Sequence, residues 1–167
     1  VTQVSVGANT TCIVIAGGAQ CTGAGTVGAL GDGTSTSKTY LVPVSGLSSG
    51  VAAVASGNVY TSCALLTDGT VKCWGRGNTG EIGNGSISNA LTPAAVTGVT
   101  NAVQIGLGEY FGCALISDGT VKCWGGNANR QLGDGTTTNR NTPVTVQGLS
   151  NATSLSVGLR TVCVTVT

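Results

Sequence analysis

The chain has 167 residues, a net charge of +1 and only 8% charged residues. This length suffices for one domain with a buried core, and the seven Lys and Arg residues are too scattered for a nucleic-acid-binding surface. No apolar run approaches the roughly 18 residues of a transmembrane helix. Sparse charge favours association between molecules. Because the sequence has no methionine and no signal peptide, we expect a processed product or a fragment.

One segment recurs along the chain at a step of about fifty residues. It begins weakly as CIVIAGGAQCTG at Cys12, is clear as CALLTDGTVKCWG at Cys63 and CALISDGTVKCWG at Cys113, and reopens at Cys163. A fixed period of this size predicts an array of supersecondary units. We therefore predict a single repeat domain over residues 1–167, with repeats at about 1–51, 52–101 and 102–151 and a partial fourth repeat at 152–167.

Each repeat predicts a β-hairpin that is closed by a disulfide. In the second repeat, two apolar runs flank Asp68-Gly69, which is a strong hairpin signal. A turn there places the two cysteines of the repeat directly opposite each other, close enough to bridge. In the first repeat the loop is one residue shorter, and a two-residue turn at Ala16-Gly17 preserves the cysteine pairing. The predicted disulfides are Cys12–Cys21, Cys63–Cys73 and Cys113–Cys123, and Cys163 is expected to be unpaired or intermolecular.

Zinc is the alternative explanation for paired cysteines. Zinc sites usually show C-x2-C spacing or histidines, whereas eight or nine residues separate the cysteines here and the chain has no histidine. We therefore predict disulfides and no metal. Disulfides persist in oxidising compartments, so the expected location is extracellular or on the cell surface.

The motifs CAL-x2-DGTVKCWG and QLGDGT resemble the repeats of the regulator of chromosome condensation family, in the cysteine-bearing form of secreted bacterial proteins. The resemblance implies a β-propeller of four-stranded blades, usually seven to a ring. The predicted fold class is therefore all-β: an open or superhelical array of three and a fraction blades with disulfide-stapled hairpins. The first repeat departs from the pattern, because Thr22 stands where the others have Trp74 and Trp124.

The two tryptophans allow two interpretations. Because the repeat fixes their position, packing between neighbouring blades is favoured for Trp74 and Trp124. The alternative is a stacking platform for sugars or bases. Three Asn residues also begin N-x-[ST] sequons, at the frequency that the composition alone would give; these possible glycosylation sites are Asn9, Asn84 and Asn151.

We predict no catalysis and no cofactor. The four aspartates lie in Asp-Gly turns, where the side chain caps its own backbone, and no histidine is present to act as a base. A calcium site at the GDGT loops is disfavoured, because each loop has one carboxylate and Asn84 replaces it in the second repeat. The family name suggests guanine nucleotide exchange on the GTPase Ran with chromatin docking. The chain lacks the long insertions and the basic patch that this activity requires.

These observations favour a non-enzymatic extracellular structural or interaction protein. We expect it to assemble head to tail with copies of itself, through open blade ends, into a fibre or surface array. The alternative is part of a closed seven-bladed propeller that binds a protein partner, for example as an inhibitor of a secreted enzyme.

Overall fold

The computed structural model describes all 167 residues and contains fourteen antiparallel β-strands in four sheets. The strands of each sheet are adjacent in chain order, so each sheet is a simple meander. The first sheet contains β1 (Gln3–Val6), β2 (Thr10–Ile15), β3 (Gly18–Gly23) and β4 (Lys38–Pro43); the second β5 (Val51–Ser56), β6 (Thr61–Leu66), β7 (Val71–Gly75) and β8 (Ala90–Ala95). The third contains β9 (Ala102–Leu107), β10 (Phe111–Ile116), β11 (Val121–Gly125) and β12 (Arg140–Thr145); the fourth β13 (Ala152–Val157) and β14 (Val162–Val166).

We call these sheets blades one to four. The only helical segment is a short 3-10 helix at Thr26–Gly28, after β3. No helix is long and apolar enough to cross a membrane.

The local sequence explains the tight hairpin at the centre of each blade. In the β6–β7 turn, the Oδ1 atom of Asp68 accepts hydrogen bonds from the N–H (2.9 Å) and the hydroxyl (2.6 Å) of Thr70. Gly69 has φ +78°, a left-handed conformation that a residue with a Cβ rarely adopts. The same two hydrogen bonds join Asp118 and Thr120 in the third blade.

These turns fix the register that places the cysteines opposite each other. Cα–Cα distances are 4.1 Å for Cys12–Cys21, 4.0 Å for Cys63–Cys73 and 4.1 Å for Cys113–Cys123. The shorter first hairpin keeps this pairing, because Ala16 and Gly17 both have positive φ and form a two-residue turn. The predicted fold of disulfide-stapled hairpins is confirmed.

The chain has no single central core, because its buried apolar residues form one cluster at each junction between blades. The first cluster joins Val14 and Val44 of blade one to Val54 and Trp74 of blade two. The second cluster lies between blades two and three, and the third between blades three and four. Each blade therefore buries its apolar face against the next blade in the chain, as expected for a repeat array.

Two glutamine side chains add polar contacts between blades. Gln3 accepts a hydrogen bond from the Val54 N–H (2.7 Å) and donates one to the Val54 carbonyl (3.1 Å). Gln104 makes the same pair of contacts with Leu155, both at 2.8 Å. Both amides therefore satisfy backbone groups at the inner edge of the following blade.

Candidate functional site

The fourth blade has an open strand edge. It contains only β13 and β14, whereas each other blade has four strands. The Gly158 N–H donates to the Thr161 carbonyl (2.9 Å), and hydrogen-bonded and non-hydrogen-bonded residue pairs alternate along an antiparallel ladder. The backbone N–H and C=O groups of Cys163, two residues further along, therefore point towards β13. The N–H and C=O groups of Val162 and Val164 consequently point away from β13, towards the open side.

A groove of about 490 Å³ lies between β14 and the third blade. One wall consists of Val162 and Val164 from β14, and the facing wall includes Val146 and Leu149, which follow β12. Gln131 and its neighbours form the polar rim. Backbone groups that lack a strand partner thus border an apolar groove, which is the surface that an added β-strand would need.

At the two preceding junctions, a tryptophan side chain occupies the equivalent space. Trp74 of blade two is fully buried against blade one, and its Nε1–H donates to the Ala29 carbonyl (3.0 Å). Trp124 of blade three is fully buried against blade two and donates to the Glu81 carbonyl (2.9 Å). The indoles therefore serve as packing anchors between blades, and neither forms an exposed stacking platform.

We call the site that faces each indole a tryptophan socket. It consists of a carbonyl oxygen, a glycine two residues later and a valine near the end of the same repeat. A Cβ atom at the socket glycine would lie 2.9 Å from the indole in both occupied sockets, so glycine is required there. The first socket is Ala29, Gly31 and Val44; the second is Glu81, Gly83 and Val96; by repeat position the third is Gln131, Gly133 and Val146.

Cys163 lies on β14 as an exposed free thiol. In the register of β13 and β14, Cys163 lies opposite Ser156, and by repeat position it corresponds to Cys63 and Cys113. In those repeats the bonded cysteine comes from the third strand of the blade. The thiol is therefore accessible for a cross-link, and whether it bridges to another molecule stays a prediction.

The carboxylates are bound to neighbours in the chain. Glu81 lies 3.3 Å from the Arg76 guanidinium, which also lies over the Tyr110 ring at 4.9 Å. The Glu109 carboxylate accepts a hydrogen bond from Arg160 at 2.7 Å, which ties blade three to blade four. No group of three or more His, Cys, Asp or Glu side chains is placed to hold a metal ion.

Asp134 is more than the turn residue that its Asp-Gly sequence predicts. Its carboxylate is buried and accepts hydrogen bonds from Asn127 (3.0 Å), Thr136 (2.8 Å) and Arg140 (2.7 Å). Burial raises the pKa of Asp134, but the hydrogen bonds from Thr136, Arg140 and Asn127 outweigh burial and hold the pKa well below its usual range. The Arg140 cation therefore balances the charge of this buried carboxylate.

The three sequons differ in accessibility. Asn9 and Asn151 are exposed, whereas Asn84 is half-buried and its side chain accepts a hydrogen bond from the Ser86 N–H (3.0 Å). Glycosylation at these positions stays a prediction.

Sequence reasoning missed the groove, the sockets and the glutamine contacts between blades. A signal for the sockets was present, because Ala29, Glu81 and Gln131 share one repeat position and each precedes a glycine by two residues. No local pattern indicated the glutamine contacts, since Gln3 reaches a residue 51 positions away in the chain.

Comparison with known proteins gives one family. Two models described as Regulator of chromosome condensation (RCC1) repeat match the chain. One covers residues 51–81 and 102–131, and the other covers residues 68–115 and 118–164. No curated protein sequence matches the chain.

Solved structures share the fold. Human WBSCR16 aligns with a TM-score of 0.81 and 23% identity, covering 93% of this chain and 42% of that one. Yeast RCC1 (Prp20), crystallised with Kap60, aligns with a TM-score of 0.83 and 19% identity, covering 98% and 41%. The CRINKLY WD40 ectodomain of the Arabidopsis thaliana receptor kinase ACR4 aligns at 0.58 and 18%, covering 98% and 46%.

The chain thus spans less than half the length of each of these structures. The longer of the two repeat models alone covers more than half of the chain, and the blade geometry agrees with it. The chain belongs to the RCC1 repeat family and has its β-propeller blade fold.

Proposed function

We propose that the chain is a non-enzymatic extracellular structural protein that assembles head to tail into a fibre or surface array. The observation that carries this proposal is the two-stranded fourth blade, which leaves β14 without a partner on one side. Exposed strand edges pair with other chains unless charged residues or prolines guard them. Arg160 is the only charged side chain after Arg140, so this edge is poorly guarded.

The first blade offers a second apolar surface, at the opposite end of the array. Val4 and Val6 on β1 are 57% and 70% exposed. Val54, which occupies the repeat position of Val4 in blade two, is only 2% exposed because blade one covers it. Contact between two different surfaces, repeated without closing, produces a filament.

Chemistry and redox state support the rest of the proposal. Three disulfides within hairpins are typical of proteins in oxidising, extracellular compartments. The chain has no histidine, and its buried carboxylates accept hydrogen bonds from backbone groups, Thr, Asn or Arg side chains. These features favour a protein that acts through its surfaces.

The test removes one end at a time. A chain that lacks residues 152–167 keeps the first-blade surface, and Val4→Asp keeps the fourth-blade edge. We expect each variant alone to stay monomeric by light scattering and electron microscopy, while the full chain forms fibres. An equimolar mixture should give dimers only, because each variant retains one complementary surface.

Thr137→Asp is the matched control, since it adds the same charge at an exposed loop position outside both surfaces. It should assemble like the unmodified chain, and circular dichroism should show that every variant folds. If the full chain stays monomeric at high concentration, or if neither change reduces assembly, the proposal is wrong.

A closed propeller that binds a protein partner is the second candidate. The observation that supports this candidate is that 98% of this chain aligns with only 41% of yeast RCC1 (Prp20), so the chain spans less than half of that fold. Prp20p from Saccharomyces cerevisiae has binding properties to Gsp1p and histones. For the present chain, the corresponding proposal is a protein partner, for example a secreted enzyme that the propeller inhibits. Discs of one size in micrographs, in place of fibres, would favour this candidate.

A further inference from the structure

We propose that Asn84 is a deamidation site and that the contact between blades two and three controls its reactivity. While the two blades are packed together, the Asn84-Gly85 sequence is held in an unreactive conformation. When the blades separate, the Asn84 side-chain amide is hydrolysed, and the isoaspartate that forms prevents the original contact from returning. This inference goes beyond assembly and does not depend on it.

The reaction needs only water. The Gly85 backbone nitrogen attacks the side-chain amide carbon of Asn84, a C–N bond closes a succinimide ring, and the amide group leaves as ammonia with the Gly85 proton. Water then adds to one of the two ring carbonyls and opens the ring. Addition at the side-chain carbonyl gives aspartate, whereas addition at the main-chain carbonyl gives isoaspartate, in which the main chain runs through the former side chain. No oxidant or reductant takes part.

The sequence and the exposure of this position select Asn84. It is the only asparagine in the chain that is followed by glycine. A side chain on the following residue hinders the attacking nitrogen, and glycine has none. Gly85 is exposed, and the nearest atom to a Cβ at this position would be Cγ2 of Thr142 at 3.9 Å. Water can therefore reach the site, and the nitrogen is not crowded.

Blade three holds both peptide groups next to Gly85. The Gly85 N–H donates to the Asn141 carbonyl (2.8 Å), and the Gly85 carbonyl accepts a hydrogen bond from Nδ2 of Asn141 (2.8 Å). Asn141 lies on β12, the outermost strand of blade three. Ring closure must remove the Gly85 proton and turn the nitrogen towards the Asn84 side chain, so it must break these contacts. The reaction therefore requires Gly85 to leave Asn141.

The Asn84 side chain is fixed by its own loop. Its Oδ1 atom accepts a hydrogen bond from the Ser86 N–H (3.0 Å). Asp134, at the same repeat position in blade three, accepts the same hydrogen bond from the Thr136 N–H (3.0 Å). The aspartate product at position 84 can therefore keep this turn. The isoaspartate product is the one that changes the loop.

Isoaspartate adds one atom to the main chain between positions 84 and 85. The loop is anchored on both sides of this point, because the Gly83 carbonyl accepts a hydrogen bond from the Thr97 N–H (2.9 Å) and β8 begins at Ala90. The extra atom therefore displaces Gly85 from Asn141. Gly83 is also the glycine of the second tryptophan socket. Deamidation thus weakens the junction that had protected the site, and the change cannot be reversed by refolding.

The first measurement compares the folded chain with the urea-unfolded chain, both with intact disulfides in mildly alkaline buffer. Peptide mass spectrometry locates the deamidated residue, and a methyltransferase specific for isoaspartate detects that product. In urea, Asn84 should react before any other asparagine. In the folded chain its reaction should be slower by about a hundredfold or more, since it passes through a rarely populated open state. Equal rates in the two states, or earlier reaction at another asparagine in urea, would overturn the proposal.

A surface variant tests the contact directly. Asn141→Ala removes the hydrogen bond to the Gly85 carbonyl and leaves the buried clusters intact. Loss of one hydrogen bond should raise the rate about fivefold. Thr145→Ala is the matched control, because it is an exposed position on the same strand and outside the Gly85 contact. It should react like the unmodified chain, and equal rates for the two variants would contradict control by Asn141.

Two tryptophan variants separate the junctions. Trp124→Ala weakens the junction between blades two and three, whereas Trp74→Ala weakens the junction between blades one and two. Deamidation should be faster in Trp124→Ala than in Trp74→Ala by about tenfold or more, since only the first change frees Gly85. Circular dichroism should show that both variants fold. Equal acceleration by both changes would mean that overall unfolding, and not this junction, controls the reaction.

The last measurement concerns the consequence. The isoaspartyl chain is purified and compared by hydrogen exchange with the Asn84→Asp variant, which has the other product at the same position. Protection in β8 and β12 should be reduced in the isoaspartyl chain and retained in Asn84→Asp. Equal protection in the two chains would show that the modification does not weaken the junction.

Discussion

The second and third blades have nearly the same hairpin and different neighbours. Their central segments differ only by Leu66 against Ile116 and by Thr67 against Ser117. Blade two packs between two complete blades, whereas blade three has a complete blade on one side and the two-stranded fourth blade on the other. Val96, which follows the last strand of blade two, is buried, whereas Val146, at the same repeat position after blade three, is half-buried. The neighbouring blade therefore decides which residues of a repeat are buried.

This difference makes the junctions the units of stability. An array whose repeats contact only their neighbours gains stability from each repeat and from each junction. The junction between blades two and three should therefore be stronger than the junction between blades three and four. Removal of the Trp124 side chain, which is buried at the first of these junctions, should make the two junctions similar in strength.

The largest effect is expected for Trp124→Ala. The substitution empties the second socket and leaves a cavity against Ile82 and Val96, so we expect a loss of about 3–5 kcal/mol in the free energy of unfolding. Denaturant unfolding measures the loss, and hydrogen exchange should show reduced protection on both sides of this junction. Tyr40→Ala, at an exposed aromatic residue, is the control and should change stability little. A similar small loss for both variants would mean that the indole is not an anchor.

Removal of one disulfide should have the next largest effect. The double variant Cys63→Ala, Cys73→Ala should lose about 2–3 kcal/mol by the loop-entropy model, and so should Cys113→Ala, Cys123→Ala. The two should differ in hydrogen exchange. Removal of the blade-two disulfide should reduce protection in both neighbouring blades. Removal of the blade-three disulfide should reduce protection mainly in blade two, because the other neighbour of blade three has only two strands. Uniform loss of protection across the chain would instead indicate one cooperative unit.

Acid should destabilise the third blade through Asp134. Because the pKa of Asp134 is lower in the folded chain than its ordinary value of 3.8, its contribution is present above that pH and is lost as the pH falls further. Asp134→Asn should therefore cost about 1–2 kcal/mol near neutral pH and progressively less below pH 3.8.

Blade two provides the control for this titration. Asn84 stands at the repeat position of Asp134, and Ala90 stands at the position of Arg140. Asn84→Asp should gain little, since no arginine is placed to pair with it. A stability difference between Asp134→Asn and the unmodified chain that stays constant from neutral pH to strong acid would show that the ion pair with Arg140 does not contribute.

The hairpins could be predicted from sequence because their determinants are local. The spacing from Cys63 to Cys73 and the Asp68-Gly69 turn fix the register without information from elsewhere in the chain. The socket at Gln131 could not be predicted in this way, because its shape depends on how closely two blades approach. The Asp134–Arg140 pair was also missed, since an Asp-Gly turn explains the aspartate without any partner.

The smallest expected effect concerns the glutamine contacts, which join blades one and two and blades three and four. Gln104→Ala should lose about 1 kcal/mol, because the two hydrogen bonds between the Gln104 amide and the Leu155 backbone are lost. The middle junction has Ala53 at this repeat position, opposite Ile105. Ala53→Gln should gain a similar amount if its amide reaches the Ile105 backbone as Gln3 reaches that of Val54. Urea unfolding of both variants is the measurement, and Gln104→Glu is the control. The Glu carboxylate can accept a hydrogen bond from the Leu155 N–H but cannot donate one to the Leu155 carbonyl. The stability of Gln104→Glu should therefore fall between that of the unmodified chain and that of Gln104→Ala. Loss at Gln104 without gain at Ala53 would show that the middle junction, held by Trp124, keeps its blades at a spacing that the amide cannot bridge.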